Sequence, residues 1–297
     1  KYGFGYQYVK NVMQKNNGNG TFSDISYYSG LAYSDWSWGV LINDFDNDGL
    51  KDVYIANGSI RDITDMDFVK FRMDSVKKLL IKAGSREDVL KLLSLIPSYK
   101  VVKNYYKNYG DFRFQKESKE SGLDQPAWSF GCAYADLDND GDLEIIVNNA
   151  NDIAFIYRNN TVESGRNHSI SVKLNGTEKN RQGFGARVHV ITPDGADRYF
   201  VANTMKGYLS NNDDKIVAGL GSNTSATISI TWPDGKYEEK KCKAGETTAF
   251  NYADAELVKN VQIDQQVLFR DITKETTIDH VQKENPFIEF KIGRAHV

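Results

Sequence analysis

Along the first 160 residues the apolar positions come in short runs broken by Gly, Asn and Asp, a pattern of strands and tight turns rather than long helices. A strand is predicted to end near Phe22, a Gly-Leu corner follows at Gly30-Leu31, and an aromatic strand runs from Trp36. An acidic turn and a short apolar strand, Val53 to Ala56, come next. The same order recurs at Phe114, Gly122-Leu123, Trp128 and Ile145 to Val147, while Val12 to Asn17, Tyr105 to Tyr109 and Ile156 to Asn160 supply a further strand and turn. Each of these carries a basic residue followed by Asn: Lys15-Asn16, Lys107-Asn108 and Arg158-Asn159. Between Ile60 and Ser98 the period changes. Met66, Val69, Met73, Val76 and Leu80 recur at helical spacing, Ser85 with Asp88 resembles a capping box, and Pro97 closes the segment, so a two-helix insertion is expected. From Arg166 to Tyr252 strict alternation returns at Ile170, Val172 and Leu174, at Val188 and Val190, and at Ile228 and Ile230. Pro193-Asp194-Gly195 and Pro233-Asp234-Gly235 mark the turns of a compact β-sandwich or barrel.

The recurrence is a true internal repeat. Shifting the sequence by 92 residues aligns Gly18 to Asn57 with Gly110 to Asn149 without a gap, and 15 of the 40 positions are identical. Each unit has roughly four strands, the content of a propeller blade. Leu268 to Thr273 echoes Thr21 to Ser26, so residues 267–291 read as the start of a further unit, and residues 292–297, Ile292 to Val297, as a non-native tail.

Both copies carry an acidic turn of one design, DFDNDGLKD from Asp44 and DLDNDGDLE from Asp136. Carboxylates at alternate positions, a Gly at the sixth and an acid at the ninth suit a loop wrapped round a hard cation. The expected ligands are Asp44, Asp46, Asp48, the Leu50 carbonyl and Asp52 in the first loop, and Asp136, Asp138, Asp140, the Asp142 carbonyl and Glu144 in the second. Oxygen-only donors favour Ca2+ over Zn2+, and a loop of six or more oxygens favours it over Mg2+. An EF-hand is excluded because its twelfth position is Ile55 or Val147, within β-patterned segments. The alternative, that Asp, Asn and Gly merely form good turns, does not explain two loops in register whose clustered carboxylates repel without a cation. The complete ligand set points to a structural rather than a catalytic metal.

Composition narrows the function classes. A formal net charge of -3 argues against a large phosphate-binding surface, and 17 Tyr, 15 Phe and 4 Trp with only 5 Pro suit a mainly β protein. Cys132 and Cys242 are too few for a disulfide framework and read as unpaired thiols. The four histidines show no metal-ligand spacing, and neither a GxSxG nor a phosphate loop occurs. Trp36, Trp38, Trp128 and Phe130 are expected to pack between blades, with a sugar-stacking surface as the alternative. Asn180-Arg181 and the Tyr208 to Ser210 turn are the remaining polar candidates for ligand contact.

At the acidic loops the chain resembles the FG-GAP/VCBS repeat family, and Asp44 to Asp52 fits its DxDxDGxxD pattern fully; Glu144 is a substitution at the last position of the second loop. Asn167 to Gly235 resembles the ASPIC/UnbV domain of the cartilage acidic protein family through Asn167-His168, Gly176-Thr177, Asn180-Arg181 with Gly183, Gly185-Ala186, Gly207 to Ser210, Gly219-Leu220-Gly221 and Trp232 to Gly235. Ala218 stands where that family usually has Phe, and Asp234 where Ser is common. The resemblance implies a partial integrin-α-like β-propeller over residues 1–160, with the helical insertion at about 60–98, followed by an ASPIC/UnbV domain over 166–252. It also implies an extracellular, surface-exposed or periplasmic protein that binds Ca2+ and has a binding or adhesion role towards a protein or glycan at the cell surface, without enzymatic activity. The competing expectation is a fragment of a carbohydrate-active or other hydrolytic enzyme whose catalytic residues lie outside this chain.

Overall fold

The computed structural model describes residues 10–62, 65–82 and 85–257 of the 297-residue chain. The repeat start at 267–291 and the 292–297 tail lie outside the described residues. Within them the protein is mainly β.

β1 (Gln14–Asn16) and β2 (Phe22–Asp24) form an antiparallel hairpin. Its turn opens where the Asn16 side chain accepts the Gly18 N–H at 2.8 Å. Phe22 therefore begins a strand instead of ending one, and Phe114 does the same in the second copy. A single helical turn, α1 (Ser26–Ser29), stops at Gly30, whose φ of 80° is the left-handed conformation that favours glycine. β3 (Ser37–Asn43) and β4 (Asp52–Asn57) then pair as a hairpin, with Asn43 facing Asp52 across the first acidic loop.

The insertion contains three helical segments among the described residues: α2 (Met66–Phe71), α3 (Met73–Lys82) and α4 (Arg86–Leu93). The predicted periodic run is interrupted at Arg72, and the buried face passes through Phe68 and Val76 while Met66 and Val69 stay exposed. Val76 of α3 is thus buried as the spacing predicts, whereas in α2 the buried position is Phe68 and not Met66 or Val69. Asp65 caps α2 by accepting the Phe68 N–H at 2.8 Å, and Ser85 accepts the Asp88 N–H at 3.1 Å at the start of α4. The base of the insertion is closed, because the Arg61 guanidinium donates to the Ser94 and Ile96 carbonyls and the Asp62 N–H to Pro97.

β5 (Val101–Val102) leads into β6 (Asn104–Asn108) and β7 (Phe114–Lys116). After β8 (Pro126–Ala127), which pairs with β5, come β9 (Ser129–Ala135), β10 (Glu144–Asn149) and β11 (Phe155–Tyr157). One sheet has the order β3-β4-β6-β7 and the next β11-β10-β9, both antiparallel. The two copies of the repeat therefore occupy equivalent hairpins of neighbouring sheets. β3 and β9 run close together. A Cβ at Gly39 would come 2.7 Å from Cys132 Sγ and from the Phe130 carbonyl. Phe45, from the first loop, fills the centre between Tyr105 and Tyr134, at ring distances of 6.3 and 6.2 Å.

The last segment comprises β12 (His168–Asn175), β13 (Arg187–Ile191), β14 (Asp197–Val201), β15 (Ile216–Gly221), β16 (Ser225–Thr231), β17 (Lys236–Lys243), β18 (Thr247–Asn251) and β19 (Glu256–Leu257). They make a three-stranded sheet, β15-β12-β18, and a five-stranded one, β14-β13-β16-β17-β19. Their inward residues, among them Ile170, Val172, Val188, Ile228, Trp232 and Phe250, share one buried core. β12 and β18 pair in parallel, a long-range contact that no local pattern announces. Both cysteines are buried and unpaired.

Candidate metal centre

Each acidic loop is a tight turn held by its own side chains. In the first, Asn47 takes a left-handed φ of 57°, a conformation Asn tolerates better than bulkier residues, and Gly49 a φ of 95°. This curls the loop so that the Gly49 N–H donates to Asp44 Oδ2 at 2.8 Å and the Leu50 N–H to Asp48 Oδ1 at 2.8 Å. Asp44, Asp46 and Asp48 each bring a carboxylate oxygen within 4.8 Å of the other two. Burial pushes the Asp44 carboxyl up to about 8, the Asp48 charge adds to the rise, and the Gly49 N–H opposes it. Asp48 is also raised, chiefly by burial.

The second loop repeats the geometry with Asn139 at a φ of 62° and Gly141 at 99°. Its carboxylates fall into two groups on the same 4.8 Å criterion: Asp136 with Asp138 and Glu144, and Asp140 with Asp142 and Glu163. Asp142, expected to offer its carbonyl, also turns a fully buried carboxylate inward, which accepts the Val162 N–H at 2.9 Å. Burial pushes that carboxyl up to about 7, against the pull of the Val162 N–H.

The ninth position of each loop acts as a clamp. Asp52 accepts the Phe45 N–H at 3.3 Å, the Asn108 N–H at 2.9 Å and the Tyr105 hydroxyl at 2.9 Å. Burial still raises it, to about 6. Glu144 does the equivalent work, accepting the Leu137 N–H at 2.7 Å and the Asn159 N–H at 3.2 Å. Two of the three recurrent basic-Asn pairs find their reason here. Lys107 bonds Asp46 and lies 3.2 Å from Asp48, while Arg158 lies 3.3 Å from Asp138. The Asn108 side chain donates to the Lys51 carbonyl at 2.9 Å and that of Asn159 to Leu143 at 3.2 Å, the same loop position in each copy.

Donors from the last segment complete the surroundings. Lys215 pairs with Asp136 at 2.9 Å, Asn167 donates to the Asp46 carbonyl at 2.8 Å, and the Gly221 N–H donates to the Asn47 carbonyl at 2.9 Å. Asn47 Nδ2 donates to the Gly141 carbonyl at 3.2 Å, which also accepts from Ser169, so both loops and β12 meet at one point. Sequence reasoning missed Lys107, Arg158, Glu163 and Lys215 as members of the site. The basic-Asn repeat was the available signal for the first two, whereas nothing local marks Glu163 or Lys215.

Asp44 Oδ1, Asp136 Oδ1 and Asp142 Oδ1 are buried without a hydrogen-bond partner. Orphaned carboxylate oxygens in a donor set made only of oxygens fit a hard cation, which the residues present would hold with Asp44, Asp46 and Asp48 on one side and the two carboxylate groups on the other. The weaker candidates serve separate turns. Asn180 closes its own turn through Phe184, with 2.9 Å bonds in both directions. Tyr208 packs on Trp38 with 5.1 Å between ring centres, and Ser210 Oγ accepts the Cys132 N–H at 3.0 Å, covering the free edge of β9. Trp38 also meets Phe130 at 5.2 Å, between the two sheets.

A family model described as an FG-GAP-like repeat matches residues 4–55, and one described as ASPIC and UnbV matches residues 176–257. Cartilage acidic protein 1 of Homo sapiens is 24% identical over 264 residues, covering 80% of this chain and 39% of that protein. The Mus musculus protein of the same name is 24% identical over 254 residues, covering 76% of this chain and 38% of its own length. The chain thus spans about two fifths of the length of the curated relatives it matches. Residues 4–55 are thus similar to an FG-GAP-like repeat and residues 176–257 to an ASPIC and UnbV segment, and the chain is similar to cartilage acidic protein 1 across most of its own length.

Proposed function

We propose that this chain is a Ca2+-binding, non-enzymatic, extracellular binding or adhesion module. Its acidic loops hold structural Ca2+ through Asp44, Asp46, Asp48, the Leu50 carbonyl and Asp52, and through Asp136, Asp138, Asp140, Asp142 and Glu144. The observation that carries the reading is the pair of loops in register whose carboxylates are packed together with orphaned oxygens. Without a cation such clusters destabilise the fold they sit in. Residues 1–160 are read as blades of an integrin-α-like propeller, supported by the repeat and its equivalent hairpins, and residues 166–252 as the ASPIC/UnbV domain. The ligand is a protein or glycan at the cell surface, with Asn180, Arg181, Tyr208 and Ser210 as contact candidates. Among the described residues no helix is long and apolar enough to cross a membrane.

The test is a thermal melt. EDTA is expected to lower Tm and excess Ca2+ to restore it, as linkage requires of any ion that binds the folded state alone. A melt indifferent to both would overturn the role assigned to the two loops.

A further inference from the structure

The two loops differ at their seventh position, Leu50 in one and Asp142 in the other, and in what surrounds them. The first holds four carboxylates (Asp44, Asp46, Asp48 and Asp52) against three cationic side chains. Lys107 bonds Asp46 and Asp48, the Arg198 guanidinium lies against Gly49, and Lys51 lies within electrostatic reach of Asp44. One divalent ion covers the charge that remains. The second holds five loop carboxylates and Glu163, six in all, against two cationic side chains, Lys215 and Arg158. One divalent ion leaves it two charges short of balance, and solvent screens the exposed Asp138 and Glu163 but not the buried Asp142. The carboxylates also sort into two groups with no shared member. In the group formed by Asp140, Asp142 and Glu163, Asp142 is fully buried and its Oδ1 has no partner, an orphan that calls for a cation.

We infer that the second loop carries a second divalent cation, bound by Asp140, Asp142 and Glu163, in addition to the one bound by Asp136, Asp138 and Glu144. Glu163 follows β11 on the path to β12, and the Val162 N–H beside it already bonds Asp142. The second ion therefore ties the connection between the sheet and the last segment to the loop. Arg158, 2.6 Å from Glu163 and 3.3 Å from Asp138, stands between the two groups and keeps their ions apart. This inference rests on the reading of the loops as Ca2+ sites.

The test counts ions on the full chain, freed of metal with EDTA and then titrated with Ca2+, by native mass spectrometry and calorimetry. Glu163→Gln is expected to bind one Ca2+ fewer than wild type at a concentration that saturates wild type. Asp142→Asn should lose the same single ion, and the double variant no more than either. Glu163 is partly exposed, so E163Q should keep the wild-type Tm in EDTA; a purely structural role through Arg158 would instead lower that Tm and leave the ion count unchanged. Equal counts in wild type and E163Q overturn the second site while leaving the loop reading intact. Absence of Ca2+ binding in wild type overturns both.

Discussion

Asp44 concentrates the electrostatic tension of the molecule. Its carboxyl is buried and faces Asp48 and Asp52, and the Gly49 N–H and the Arg198 charge offset this only in part, so its folded-state value rises to about 8 from an ordinary value near 4. Asp142, at about 7, and Asp52, at about 6, shift the same way. A carboxyl raised on folding contributes stability below its unfolded value and loses it as pH rises through the folded value. The metal-free protein is therefore expected to melt highest near pH 4 to 5 and to lose Tm progressively up to pH 8. With saturating Ca2+ the carboxylates are held ionised and that decline should vanish. Scanning calorimetry across pH, in EDTA and in Ca2+, checks both arms. The Lys107 ammonium bonds Asp46 and Asp48, where the proposed ion would bind. Lys107→Met should lower Tm in EDTA yet tighten Ca2+ binding by about tenfold, because it removes a competing positive charge; calorimetric titration reads the second effect.

The hairpin is the element that makes the loop. β3 with β4, and β9 with β10, hold loop ends a fixed distance apart, while the following strand supplies the basic residue and the Asn that tie the loop to the sheet. Across from the first loop, β15 approaches so closely that a Cβ at Gly219 would overlap the Asp44 carboxylate and come 2.6 Å from Asn47 Cα. Gly219→Ala should cost about 3 kcal/mol, measured by denaturant unfolding, because backbone lies opposite and cannot yield. The helical insertion is the opposite case. Its ends are bonded to each other through Arg61, Asp62, Ser94, Ile96 and Pro97. Replacing residues 65–93 by a short Gly-Ser linker is therefore expected to leave the fold and the Ca2+ response in place, since loop-closure entropy changes slowly with length; circular dichroism melts with and without Ca2+ test this.

At the scale of the whole described unit, the two loops lie where the repeat sheets and the last segment meet. Asn47, Gly141, Ser169, Asn167 and Gly221 form a bonded set that crosses these parts. Loss of Ca2+ should therefore be felt beyond the loops. Hydrogen exchange in EDTA is expected to accelerate in β12 and β15 as well as in the loops. The β16–β17 hairpin, held by its own seven-pair ladder, should keep its protection.

Local order was legible from residue patterns because it depends on neighbours in sequence: strand alternation at Val188 and Val190, the Gly30 corner, the acidic turns and their recurrence after 92 residues. Sequence alone determined that the chain is mainly β, that two acidic loops of one design recur, and that a helical stretch interrupts the repeat. The tertiary structure decided what periodicity cannot specify, since burial and charge balance depend on residues far apart in the chain. It chose Phe68 over Met66 and Val69 as the buried position of α2, paired β12 with β18 in parallel, placed Lys215 on Asp136, and brought Glu163 to a loop about twenty residues away. Carboxylate spacing could announce a metal loop, but only the packed fold sets how much charge is left there for metal to balance.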